Sequence, residues 1–155
     1  MTAAAPYSLA QHHPQISVQG FGYIPRLPPT AYAIFLYLLA QQQPGGLVRA
    51  THADLGVGLA VDRGVVSRAM PYLVAARLVK SVGRGRLQLH PMLASYSIPR
   101  ERAIALAPLP DEERLDVGHF EEEYEQRLNL YQQAKARRKA AAPRKAGRGH
   151  LRSVR

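Results

Sequence analysis

Between residues 30 and 90 the spacing of apolar positions changes several times, and each change predicts an element boundary. From Thr30 to Gln43 apolar residues fall on nearly every side, as in AYAIFLYLLA at 31–40, which predicts a helix central to a small core. The prolines of LPPT suit its start, and PGG at 44–46 ends it. LVRA, 47–50, fits a very short strand. Thr51 with Asp54 three residues on is a capping-box-like start for a short helix over 52–59, and AVD makes a tight turn. Asp62 is a ready cap for a third helix over 63–76. There Val65, Val66, Ala69, Tyr72, Leu73 and Ala76 share roughly one third of the circumference. Arg63, Gly64, Ser67, Pro71 and Val74 lie opposite, with Arg68 to one side. Pro71 inside this helix predicts a bend or local irregularity near 67–71. RLVKSV at 77–82 and LQLH at 87–90 alternate as strands around GRGR. They form a hairpin with Arg84 and Arg86 at its tip and Pro91 at its close. Upstream, ISVQGFGYIP at 16–25 fits a short strand interrupted by glycines and Pro25.

From residue 110, PDEERLDVGHFEEEYEQRLNLYQQAKARRKAAA predicts a long amphipathic helix over 111–142. Acidic residues crowd its start and basic ones its end, which suits the helix dipole. Phe120, Tyr124, Leu128 and Tyr131 make one apolar stripe, with Val117 leading in and Gly118 weakening the first turns. The stripe either pairs two copies as a dimer helix or packs back on its own domain. The expected organisation is a flexible arm at 1–15, a folded domain at 16–98, a linker at 99–110, this helix, and a disordered basic tail at 143–155.

Charge adds a partner class. Across 155 residues the net charge is +10 and the pI about 10.4, which points to a polyanion, nucleic acid before an anionic membrane. Residues 1–25 carry no charged side chain. Residues 26–100 carry nine basic and two acidic, 101–125 two basic and nine acidic, and 126–155 ten basic and no acidic. The chain has no cysteine, which removes disulfides and thiol chemistry. The N-terminus lacks the pattern of a signal peptide, and the most apolar run is too short to span a bilayer, so a cytoplasmic protein is expected, nucleoid-associated if it binds DNA. His12, His13, His52, His90, His119 and His150 show no metal-ligand spacing. Asp54 and Asp62 are accounted for as helix starts, and no glycine-rich phosphate loop follows a strand. No catalytic residue, metal or cofactor is expected.

The segment THADLGVGLAVDRGVVSRAMPYLVAARLVKSVGRGRLQLHP resembles a winged helix-turn-helix domain. Leu55, Leu59, Val61, Val66, Ser67, Arg68 and Leu73 stand where that pattern expects them, and RLVKSVGRGRLQLHP stands where its wing falls. The resemblance covers roughly residues 28–95. The core is similar to MarR-like transcriptional regulators. His90-Pro91-Met92-Leu93 is similar to the Asn-Pro-x-Leu that follows the wing in RepL-type plasmid replication initiators. Gly56 replaces a typical Ala, and Ala60 the typical turn Gly.

The resemblance implies an α+β, mostly helical fold with a two-stranded wing, to which the apolar spacing adds the long C-terminal helix. It implies sequence-specific binding of double-stranded DNA, with a homodimer through 111–142 reading two half-sites about 34 Å apart. Transcriptional regulation is the expected use and plasmid replication initiation the alternative. An adaptor with a basic RNA- or DNA-binding tail is the reading from another class. The expected DNA-facing set is Thr51, Asp62, Arg63, Gly64, Ser67, Arg68, Arg84 and Arg86. Arg63 would fork onto guanine, Gly64 allow close approach, Ser67 donate to a base or phosphate, and Arg68 take a phosphate. Arg84 and Arg86 would reach a neighbouring minor groove or its phosphates, and Thr51 with its helix start would suit a phosphate.

Overall fold

Helix α1 (Pro29–Gln41) begins with proline in its first turn, where the missing N–H has no helical partner to lose. Ala31, Ile34, Phe35, Leu38 and Leu39 are buried while Tyr32 and Leu36 stay exposed. The helix therefore presents one stripe to the core rather than being buried all round. Burial of side chains as large as Ile34, Phe35 and Leu38 stabilises by about 1.5–3 kcal/mol each. The computed structural model describes residues 22–116 and 120–141. Among them the chain is α+β and mostly helical, with five α-helices and a three-stranded antiparallel sheet.

After α1 come β1 (Leu47–Arg49), α2 (His52–Leu59), α3 (Arg63–Ala75), β2 (Val79–Gly83) and β3 (Arg86–Leu89). The sheet order is β1-β3-β2, with Val48 opposite Leu87 and Val79 opposite Leu89. Arg84 and Gly85 alone join β2 to β3, and Gly85 takes φ +65°, as a tight hairpin turn requires. A register shift between Ser81 and Gly83 bulges β2 and leaves Val82 exposed. Of the strand expected over 16–25 only residues 22–25 are described, and they are not in a strand.

Thr51 closes a complete capping box. Its Oγ1 accepts from the Asp54 N–H at 3.2 Å, and the Asp54 carboxylate accepts from the Thr51 N–H at 2.7 Å. The α2–α3 turn uses Ala60 in the left-handed region, φ +54°. The Val61 N–H bonds the Gly56 carbonyl at 2.9 Å and the Ala60 N–H that of Val57 at 3.3 Å, a Schellman closure. Gly56 is needed there because a Cβ would lie 2.7 Å from the Val61 carbonyl oxygen. α3 ends the same way, with Arg77 at φ +55° and the Leu78 N–H bonded to the Leu73 carbonyl at 3.0 Å. That closure absorbs Arg77 and Leu78, so β2 starts at Val79 instead of 77. α3 runs unbroken through Pro71, and the irregularity expected at 67–71 does not interrupt it.

Two expectations about the C-terminal third are corrected, and one alternative left open there is resolved in part. Residues 99–110 are not a plain linker, because Pro99–Leu106 form α4. The flanking prolines and lack of apolar period hid it. The long helix does not begin at 111. Asp111–Glu113 make one 3-10 turn, and Leu115 is fully buried, which pins 110–116 against the core as a strap. α5 is Phe120–Ala141. Tyr124 joins the buried core and Leu128 packs against it, so this part of the stripe covers the chain's own domain. Arg127 fastens the contact, donating to the Ala75 carbonyl at the end of α3 at 2.8 Å and pairing with Glu123. Arg77 pairs with the same carboxylate at 3.1 Å. The arm at 1–15, Val117, Gly118 and the tail at 143–155 lie outside the described residues.

Candidate nucleic-acid interface

α3 is covered on more than one side. Val66, Ala69 and Leu73 face the core as the periodicity predicts, and Met70 and Ala75 are buried as well. The uncovered strip carries Arg63, Gly64, Ser67 and Arg68, all exposed. It borders a cleft of about 840 Å³ between α3, the start of α2 and the β2–β3 hairpin. Met70, Val74 and Leu87 contribute apolar floor, while Thr51, His52, Arg63, Ser67, Arg84 and Arg127 supply its polar edge. No Asp or Glu lines it.

The expected residues divide. Thr51, Arg63, Ser67 and Arg84 are brought together on this cleft. Gly64 and Arg68 lie beside it, with the Arg68 guanidinium running back along the helix. A Cβ on Gly64 would meet Arg68 Nη1 at 3.5 Å. Arg86 folds over Gly83, where an added Cβ would lie 2.8 Å from its Nη2. Its ladder partner is Arg49. Two like charges therefore share one cross-strand position, a destabilising arrangement unless an anion lies near.

The expected Asp62 cap is corrected, and the Thr51 hydroxyl is already engaged within its own helix start. Asp62 stands at the N-cap position of α3 with extended backbone, φ −67° and ψ 145°, but its carboxylate makes no capping bond. Only its carbonyl serves the helix, accepting from the Val65 N–H at 2.9 Å. It lines a shallow hollow over the α2–α3 turn with Gly56, Val57 and Val65, away from Ser67 and Arg84. Thr51 already donates its hydroxyl proton to Asp54 at 2.7 Å. The hydrogen bonds from the Thr51 hydroxyl and N–H hold the Asp54 carboxyl below the usual carboxylate range. This helix start thus carries its own anion, which opposes a phosphate there.

His52 lines the cleft beside Thr51. It follows the cap directly, and its Nδ1 lies 3.0 Å from Ser67 Oγ, linking α2 to the exposed strip of α3. Its signal in the sequence is adjacency to the Thr51 cap, a position that metal-ligand spacing does not address. The sequence does not single out Arg49 and Arg127, and it shows Tyr131 only as part of the apolar stripe. Tyr131 and Arg127 reach the cleft from α5, and their signal was spacing, since 124, 127, 128 and 131 lie on one side of a helix.

Among the described residues no group of three or more His, Asp or Glu side chains could share a metal ion. No described helix is long and apolar enough to cross a membrane. Fold and site together define a class: an α+β domain with an arginine-edged concave face free of carboxylates. Comparison with known proteins finds no family model, no curated protein and no solved structure that matches the chain.

Proposed function

We propose that this chain is a sequence-specific double-stranded DNA-binding protein of the winged helix-turn-helix kind, acting in transcriptional regulation. α2 and α3 are the helix pair, α3 enters the major groove, and the β2–β3 hairpin is the wing. The observation that carries this reading is the cleft lining, in which Arg63 and Arg84 meet with Ser67 and His52, no Asp or Glu is among the lining residues, and Arg127, paired with Glu123, closes the α5 side. Arginine suits such a face because its planar fork matches the O6 and N7 of guanine as well as phosphate oxygens.

Arg63, at the first turn of α3, reads base edges in this account. Ser67, oriented by His52, contacts a base or phosphate. Arg68, Arg84 and Arg86 hold the backbone, which positions the protein without specifying sequence. A binding site within a replication origin, instead of beside a promoter, would make the chain an initiator with the same chemistry.

Selection of bound duplexes from a random pool tests the proposal. Wild-type protein is expected to recover a defined motif, and Arg63→Ala to lose discrimination by about 1–3 kcal/mol at one position of it. Binding that is blind to sequence and collapses as salt rises would reject base reading in favour of an adaptor or architectural role.

A further inference from the structure

The second half of α5 leaves the domain as a bare helix. Every residue from Asn129 to Ala141 is exposed, and residues 132–141 extend about 15 Å at helical rise. They carry Lys135, Arg137, Arg138 and Lys139 and no acidic side chain. Tyr131 marks the departure, since it still lines the cleft beside Arg63, Ser67 and Arg84 while 44% exposed. The chain runs from Tyr124 in the core to Tyr131 at the cleft, so the overhang emerges on the face bearing those arginines.

The face it presents changes chemistry at that point. With Tyr131 at zero and 100° per residue, Tyr124, Arg127 and Leu128 lie within roughly 60° of it, and so do Lys135 and Arg138. Lys139 stands about 80° away and Arg137 about 120° away. One continuous helix side thus carries Tyr124, Leu128 and the engaged Arg127 where it lies on α3, and Lys135 and Arg138 where it overhangs. Pairing with a second copy along this side needs an apolar seam repeating every three to four residues. After Tyr131 the positions that would supply it are Lys135 and Arg138.

We propose that the overhang of α5 clamps the phosphate backbone of duplex DNA next to the cleft, with Lys135, Arg138 and Lys139 as the phosphate-contacting side chains. This rests on the DNA-binding reading and adds a rigid, face-specific contact to it. The occupant is a polyanion because residues 132–141 carry four basic side chains and no acidic one. It is a duplex because that face continues from the cleft edge.

The test is the salt dependence of binding to a labelled mixed-sequence duplex of about 30 base pairs, with full-length protein between about 50 and 200 mM salt. The triple variant Lys135→Gln, Arg138→Gln, Lys139→Gln keeps good helix formers throughout, and circular dichroism checks its fold. The slope of log affinity against log salt is expected to fall by about 0.9 for each lost phosphate contact, hence by about 2–3. Arg137→Gln, on the far side, is expected to leave the slope nearly unchanged. An unchanged slope in the triple variant overturns the clamp while wild-type binding keeps the DNA reading intact. Equal loss from Arg137→Gln and from each of the three single variants also overturns it, since charge alone would then act. Loss of a dimer in sedimentation, with the slope unchanged, would assign the face to a second copy. Failure of folded wild-type protein to bind any duplex overturns both the reading and the clamp.

Discussion

Ala60 is the residue where local propensity and the required turn conflict. A left-handed backbone costs a non-glycine residue roughly 1–2 kcal/mol, yet the α2–α3 turn places Ala60 at φ +54°. Four residues earlier Gly56 stands where a side chain would strike the Val61 carbonyl. The turn has its glycine at the close approach and its alanine at the left-handed position. Ala60→Gly is therefore expected to stabilise the fold by about 1 kcal/mol, raising the melting temperature by roughly 2–4 °C. Gly56→Ala is expected to lower stability by about 1–3 kcal/mol. Thermal unfolding of the two variants reads both signs, and destabilisation by Ala60→Gly would reject this account of the turn. Both substitutions were visible in the sequence as departures from the helix-turn-helix pattern, but which of them bears the strain was not. That depends on which backbone atoms the turn brings together. Asp62 makes the same point, since an aspartate at an N-cap position signals a cap and only the rotamer decides whether the bond forms.

At the scale of elements, those set by local pattern were legible and those set by tertiary contact were not. α2 ran over the residues expected of it because its capping box is a local signal. α3 began at Arg63 as expected, and its end moved only because the Schellman closure took in Arg77. α4 has no apolar period to announce it, and the strap at 110–116 is held by Leu115 entering a core that local sequence cannot display. α5 illustrates the division best. Its stripe at 124, 128 and 131 was legible, and what it packs on was not. Tyr124 is buried against the chain's own core. Tyr124→Ala is expected to cost about 3 kcal/mol and lower the melting temperature by roughly 6–12 °C. Limited proteolysis is expected to cut residues 120–141 faster in that variant. An unchanged melting temperature and cleavage pattern would mean that α5 does not depend on this contact.

On the scale of the whole molecule the strap also ties stability to pH. His90 is buried at the end of the hairpin, with Nε2 2.8 Å from the Glu113 carbonyl oxygen and Nδ1 accepting from the Met92 N–H at 3.2 Å. A neutral ring protonated at Nε2 satisfies both bonds, whereas an imidazolium would set N–H against N–H. Burial pushes its pKa down, with the charges of Arg77 and Lys80 adding to the shift and the Glu113 carbonyl and carboxylate opposing it. Below the ordinary histidine value of about 6.5 the unfolded chain takes up a proton that the folded chain resists. Stability from this group is thus full above that pH and falls as the solution is acidified, by at most about 1.4 kcal/mol per pH unit. Urea unfolding at pH 7.5 and 5.5 is expected to show a loss in the wild-type protein that His90→Gln reduces. An equal loss in both would place the pH dependence elsewhere.

The charge layout was legible as a count by segment, but not as a surface. Only folding brings Arg63, Arg84 and Arg127 to one cleft and leaves the acidic residues outside it. The claim that this cleft face is where the molecule meets DNA is tested most directly by amide NMR of the labelled protein titrated with a duplex of about 20 base pairs, at a salt concentration where electrostatic contacts persist. The account predicts that shift changes concentrate at residues 51–52, 63–68 and 83–86, with a second group along α5. Changes centred instead on the exposed side of α1 and α2, around Leu36 and Val57, would contradict it, as would no change at any residue.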